Sequence, residues 1–303
     1  MRKTVIAALA IVAMVGCSKE DSANELIDTT DQVAATFSAA TITRVADNAW
    51  ETGNQIGISM TNNGLTTLAS GNYENVPYTV DDINTGTFKA GTTVIYYPVD
   101  ETETVDFYAY YPHSTVDANN DIAVSVATQT YEHIDLIAAK VTDKTKDSPE
   151  VSFTGDAAFK HKLSKLSLTI EAGDGIASLS GLETTIKGQY TTAKFNIYSF
   201  GISGEDGNTV DIEPTTTLDA DNKTANTSAI LIPTAAVSGS SVVFTLDGND
   251  YVWDTSAIAL EQGYEYNYTI KISKIGITVS GATISGWDDG VEEDSTIDVT
   301  PKL

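Results

Sequence analysis

One cysteine, Cys17, stands in 303 residues, so the chain can close no internal disulfide. An exported protein of this composition must be held together by its core alone. Basic residues are few, 17 Lys and Arg against 42 Asp and Glu, and the net charge of −25 repels phosphate backbones. Nucleic acid is therefore not expected as a partner. The three histidines, His113, His133 and His161, lie far apart, with no HExxH spacing and no cysteine to complete a zinc set. No metal and no cofactor is expected. There is no G-x-S-x-G elbow: Gly201-Ile202-Ser203-Gly204 lacks the second spacer that lifts a nucleophile out of a turn. No phosphate-binding glycine loop stands in for it, and the chain reads as having no catalytic residues. After Cys17 no apolar run is long enough to span a bilayer, and helical periodicity is nearly absent.

What is present begins at the N-terminus. Arg2 and Lys3 precede an apolar run from Val5 to Gly16, the charged and apolar regions of a secretory signal, too short to cross a membrane. The run closes on Met14-Val15-Gly16-Cys17, which resembles the bacterial lipobox. Residues 1–16 are thus expected to be a signal peptide, with Cys17 acylated as the mature N-terminus. Its acyl chains, at about 0.8 kcal/mol per buried methylene, would attach the protein to the outer membrane. Residues 17–31, rich in Lys19, Glu20, Asp21, Glu25, Asp28 and Asp31, have the composition of a solvated tether.

Beyond the tether the pattern is period-2 alternation between turns of Gly, Asn and Asp. Val33, Ala35, Phe37 and Ala39 alternate with smaller polar and alanine positions, and Leu166, Leu168 and Ile170 repeat the scheme, as do Ile275, Ile277 and Val279. Phe107, Ala109 and Tyr111 face one way and Tyr108 and Tyr110 the other, which describes a strand covered on both faces or one with an aromatic outer face. Asp247-Gly248-Asn249-Asp250 and the stretch from Ser203 to Asn208 read as hairpin turns. Ile134 to Val141 reads as a short helix or a strand.

Phe159, His161 and Leu163 share one parity and Leu166, Leu168 and Ile170 the other, which predicts a β-bulge near Ser164 or Lys165. Thr142 to Glu150 is a polar, strand-breaking stretch. The expected divisions are an N-terminal β-sandwich over 32–156, a second over 157–287, and an acidic hinge with a possible further strand over 288–303.

Asp117-Ala118-Asn119-Asn120-Asp121 starts like a calcium loop but has Ile122 where glycine is needed and Thr128 where a bidentate acid is needed.

Several segments in order resemble the fimbrillin family, the type V pilins and Mfa-like fimbrillin lipoproteins. They are Thr43-Arg44 followed by Trp50-Glu51-Thr52-Gly53-Asn54-Gln55-Ile56-Gly57-Ile58, then Phe107-Tyr108-Ala109-Tyr110-Tyr111-Pro112, then the stretch from Phe159 to Leu166, and Ile230-Leu231-Ile232-Pro233. Gly263-Tyr264 through Tyr268, Ile277 to Gly281 and Ile284-Ser285-Gly286-Trp287 complete the series.

The resemblance implies an all-β fold of two tandem, transthyretin-like sandwiches and export as a lipoprotein. It also implies assembly with other fimbrillin subunits by strand exchange. In that scheme an arginine-specific protease cuts between Arg44 and Val45, the first strand with Val33, Ala35 and Phe37 leaves, and a neighbour's C-terminal strand replaces it. Baring that groove would expose apolar surface and unpaired backbone, a state that demands a replacement strand.

Ile297, Val299 and Leu303 alternate with polar residues and would suit such a donor, although a disordered tail fits the same residues. Partners would then be sister subunits, the outer membrane, the protease and host or bacterial surface ligands. A second reading is a monomeric surface lipoprotein binding glycans through some of its 14 tyrosines. A glycosidase, built on two of the 42 acids, is the third.

Overall fold

The computed structural model describes residues 32–40, 50–130, 134–204 and 209–287. The described chain is almost wholly β. In order the strands are β1 (Thr36–Ala39), β2 (Gln55–Asn62), β3 (Val76–Asp82), β4 (Thr87–Ala90), β5 (Val105–Tyr111), β6 (Asp121–Ser125), β7 (Ile137–Lys144), β8 (Glu150–Phe153) and β9 (Lys160–His161). They continue with β10 (Ser164–Ala172), β11 (Glu183–Lys187), β12 (Thr192–Asn196), β13 (Ile202–Ser203), β14 (Thr216–Leu218) and β15 (Thr224–Leu231). The last four are β16 (Ser241–Leu246), β17 (Asn249–Asp254), β18 (Tyr264–Ser273) and β19 (Gly276–Gly286).

Eight strands form one sheet in the order β8-β1-β4-β3-β2-β5-β7-β9, and five form another in the order β14-β15-β10-β18-β19. Two three-stranded sheets, β11-β16-β17 and β13-β12-β6, complete the layers. Among the described residues no helix is long and apolar enough to cross a membrane.

The buried side chains fall into two cores, one built from residues between Ala35 and Phe159 and one reaching from Tyr108 to Trp287. β5 serves both. All seven of its residues are buried, with Phe107, Ala109 and Tyr111 in the first core and Tyr108 and Tyr110 in the second. The alternation on this strand thus marks two covered faces rather than an aromatic outer surface. β7 does the same, placing Ile137 and Ala139 in the first core and Ala138 in the second. The stretch from Ile134 to Val141 is therefore mainly strand, and its near-continuous apolar run follows from burial on both sides.

β6 crosses over more completely, pairing antiparallel with β12 from Asp121↔Asn196 to Ser125↔Thr192.

The parity change after Leu163 has a different origin from the predicted bulge. Phe159 and His161 accompany β9, which pairs with β7 in the eight-stranded sheet, and the chain then passes into β10 of the five-stranded sheet. Leu163 and Ser164 are both fully buried at the crossing. A change of sheet resets side-chain parity as an inserted residue does. The polar stretch before it is also more ordered than its composition suggests, since β7 runs on to Lys144 and β8 begins at Glu150. The hairpin read at Asp247-Gly248-Asn249-Asp250 turns on its first two residues, Asp247 and Gly248, with φ +52° and +74°, while Leu246 pairs with Asn249 and both Asn249 and Asp250 already belong to β17.

Candidate functional site

The first strand is seated inside a sheet, not on its edge. β1 runs parallel to β8, with Phe37 opposite Val151 and Ala39 opposite Phe153, and antiparallel to β4, with Phe37 opposite Phe88. Its alternation is resolved into one buried face of Ala35, Phe37 and Ala39, with Val33 half-buried against the same core. Phe37 is the anchor. Its ring meets Tyr78 at 4.8 Å and Phe107 at 5.4 Å edge-on and stacks at 6.4 Å on Phe153. Such contacts add to the burial of the ring itself.

Backbone hydrogen bonds extend the seat at both ends. Ala35 N–H donates to the Ile95 carbonyl at 2.9 Å and Tyr97 N–H to the Val33 carbonyl at 2.9 Å. Ala39 N–H donates to the Gly86 carbonyl at 2.9 Å, and Ala40 N–H to the Phe153 carbonyl at 3.2 Å. Gly86 has φ +63°, and a Cβ there would strike the Ala39 carbonyl, so the close passage of β1 requires glycine. The floor of the seat carries two phenols, Tyr78 and Tyr97. Burial raises the pKa of both, and the Ile95 N–H donated to the Tyr78 oxygen at 2.9 Å partly offsets this in Tyr78.

The chain leaves β1 at Ala40 and re-enters the described structure at Trp50, whose Nε1–H donates to the Ala40 carbonyl at 3.2 Å. Trp50 is itself buried, edge-on to Phe88, Phe159 and Tyr111 at 5.0, 5.5 and 5.6 Å. The two ends of the intervening segment are thereby held together. Arg44 and Val45 belong to that segment and lie outside the described residues, as do Cys17, His133, Ile297, Val299 and Leu303. Val33, Ala35 and Phe37 are the predicted site residues that the structure brings together.

What the sequence did not disclose is the other wall. Val151 and Phe153 on β8, Phe88 on β4 and Ile95 complete the seat, and the first two form only a four-residue alternation directly after polar residues.

The remaining candidates resolve as supports. Asp117 Oδ1 accepts the N–H groups of Asn119 at 2.8 Å and Asp121 at 3.1 Å, and Oδ2 pairs with Lys194 at 2.8 Å. These bonds hold its carboxyl below the ordinary carboxylate range, the Lys194 bond most strongly. Among the described residues no cluster of His, Cys, Asp and Glu could hold a metal. His161 is buried with Nδ1 2.7 Å from Asp135 Oδ1 and its ring stacked at 3.9 Å on Trp287. His113 Nε2 lies 3.3 Å from the Asn75 carbonyl.

Residues 43–287 match the sequence profile of a family described as fimbrillin-like. A candidate fimbrium subunit of Bacteroides uniformis, Fim1C, is 36% identical, and the match takes in 94% of this chain and 95% of that one. A solved structure of a candidate cell adhesion protein from Bacteroides uniformis is 35% identical, with a TM-score of 0.68, covering 85% of this chain and 99% of that one. Another, from Bacteroides ovatus, shares the fold at 18% identity, with a TM-score of 0.63 over 84% of this chain and 96% of its own.

Proposed function

Because this chain belongs to the fimbrillin-like family, we propose that it is a structural, non-catalytic subunit of a surface fimbrium, or a fimbrillin-like surface lipoprotein, that takes part in adhesion. In this reading the chain is exported and acylated at Cys17, and its body is divided near residue 157 into two tandem units. An arginine-specific protease cuts between Arg44 and Val45, β1 leaves its seat, and a sister subunit's strand bearing Ile297, Val299 and Leu303 enters.

The observation that carries the reading is the seat of β1. A four-residue strand fills a slot between β4 and β8 with one apolar knob row, and the chain ends flanking Arg44 meet at the Ala40–Trp50 hydrogen bond. A cut between them would free the strand without breaking any described strand downstream. The emptied slot would bare the faces of Tyr78, Phe107 and Phe153 and two rows of backbone groups, which a strand of alternating apolar residues would cover again.

Arg44→Ala in cells supplied with the protease should leave the precursor uncut by mass spectrometry and the surface without filaments by electron microscopy. Filaments of ordinary length from uncut protein would overturn the exchange mechanism. Cys17→Ala should abolish fatty-acid labelling and move the protein from the membrane to the soluble fraction; an unchanged distribution would remove the lipid anchor from the reading.

A further inference from the structure

We propose that the outer face of the β14-β15-β10-β18-β19 sheet is a binding groove for a neutral, polyhydroxylated chain, an oligosaccharide. This goes beyond the assembly reading and does not depend on it. The inner face of this sheet is apolar, with Leu166, Leu168, Ile170, Tyr266 and Ile270 in the second core. The alternate positions on its outer face are hydroxyl or amide side chains: Ser167 and Thr169 on β10, Asn226 on β15, Asn267 on β18 and Thr283 on β19. Two charged side chains share the face, Lys165 on β10 and Glu265 on β18, and they are paired with each other at 2.9 Å.

The face is also hollow. The register of β18 against β19 shifts between Asn267 and Thr269, with Gly281 at the irregularity, and an open groove of about 670 Å³ runs over the sheet there. That volume lies in the range of small-molecule sites. One end is closed by Gln129, whose amide accepts from Ile230 N–H at 2.8 Å and donates to the Val126 carbonyl at 2.7 Å and the Ile230 carbonyl at 3.0 Å. Gln129 is thus a fixed wall rather than a swinging side chain.

The groove keeps hydrogen-bonding capacity in reserve. Among the described residues the Asn267 amide and the Thr283 hydroxyl make no side-chain hydrogen bond, and Asn226 accepts only from Thr169, at 3.3 Å, leaving its NH2 group free. An amide offers a donor pair and an acceptor side by side, and a hydroxyl offers both, which matches adjacent hydroxyls on a sugar ring.

Charge decides between ligand classes. In a chain of net charge −25 the carboxylate in this groove, Glu265, is neutralised by Lys165 at 2.9 Å and accepts from Ser167 Oγ at 2.7 Å. An anionic polymer meets repulsion from the surrounding surface and gains no cation here. The C-terminal residues Ile297, Val299 and Leu303 would find no apolar partner on this face, so a strand of this chain is a poor occupant.

Among the described residues that line the groove no exposed aromatic ring flanks the polar rows, so affinity comes from several modest hydrogen bonds exchanged with water, with a dissociation constant on the order of 1 mM. Display of many copies on one surface would raise the avidity of so weak a site.

The test is an NMR titration of the full chain with neutral gluco-, manno- and galacto-hexasaccharides, with a hyaluronan hexasaccharide as the anionic control. At least one neutral sugar should shift the side-chain amide signals of Asn226 and Asn267 saturably, and the anionic control should not. Asn267→Ala and Asn226→Ala should each weaken binding about fivefold or more while the thermal midpoint stays unchanged. Silence of both amides with every neutral sugar overturns the proposal, as does binding indifferent to both variants. Shifts that follow protein concentration instead of sugar would assign the face to a second copy and overturn it too. Uncleaved Arg44→Ala protein should bind as well as the unaltered chain, which separates this outcome from any failure of assembly.

Discussion

A methyl group at position 57 would have nowhere to go. Gly57 lies opposite Tyr110 across the β2–β5 pair, and a Cβ there would sit 2.6 Å from Tyr110 Cε1 and clash with Asn75 Oδ1. The Tyr110 hydroxyl accepts from Ser114 N–H at 3.2 Å and has Asn75 Oδ1 at 2.7 Å and the Ser114 carbonyl at 2.8 Å as acceptors for its one proton, so the ring cannot swing aside without losing these contacts. Gly57→Ala should therefore cost about 1–3 kcal/mol, read as a lowered denaturation midpoint with an unchanged slope. A neutral result would mean that Tyr110 is free to shift.

The phenols supply a second prediction. Burial pushes Tyr110, Tyr198 and Tyr268 up to about 12, above the value near 10 of an unfolded tyrosine. A raised folded pKa gives stability that is whole below pH about 10 and is lost as pH rises toward about 12. Alkaline titration should show these tyrosines ionising together with the loss of near-ultraviolet circular dichroism. Smooth ionisation with tertiary structure intact would contradict their burial.

At the scale of elements, Phe37 is the grip that holds β1 in its sheet. Phe37→Ala removes three aromatic contacts from a site that β4 and β8 keep from collapsing, so the folded protein should lose about 3–5 kcal/mol in denaturant unfolding. A loss below 1 kcal/mol would mean that the seat closes readily around an alanine.

This strand was legible because only one of its faces is buried, and Ala35, Phe37 and Ala39 print that face directly onto the sequence. Its parallel partner β8 was obscured by the polar Asp147, Ser148 and Pro149 just before it and by its own exposed first residue, Glu150. β6 was not read as a strand from the sequence, where Ile122 entered only as the residue that spoils a calcium loop. Ile122 and Val124 suit a cavity in either half, and Phe195, the residue opposite Ile122, lies far along the chain. The crossing at Leu163 to Ser164 was misread because parity records a reset without recording whether the chain bulges or changes sheets.

At the scale of the whole described body, the two cores are joined through shared strands. Tyr108 packs edge-on against Tyr198 at 5.2 Å and Phe200 at 5.8 Å, and Tyr198 reaches Glu74 through its hydroxyl at 3.2 Å. Unfolding one core strips cover from the other, so the two should unfold together. Trp50 reports on the first core and Trp253 on the second. Variants that retain one of these tryptophans each should give coincident thermal transitions; midpoints several degrees apart would show two independently stable units.

The double burial of β5 also has a mechanical meaning. A strand gripped on both faces, and paired along both edges by β2 and β7, has no soft direction in which to bend. A pull arriving at one core passes to the other through packed rings and paired backbone, without a slack linker to absorb it. Each molecule in a string of such bodies would behave as a stiff link, and all compliance would be concentrated at the joints between one link and the next.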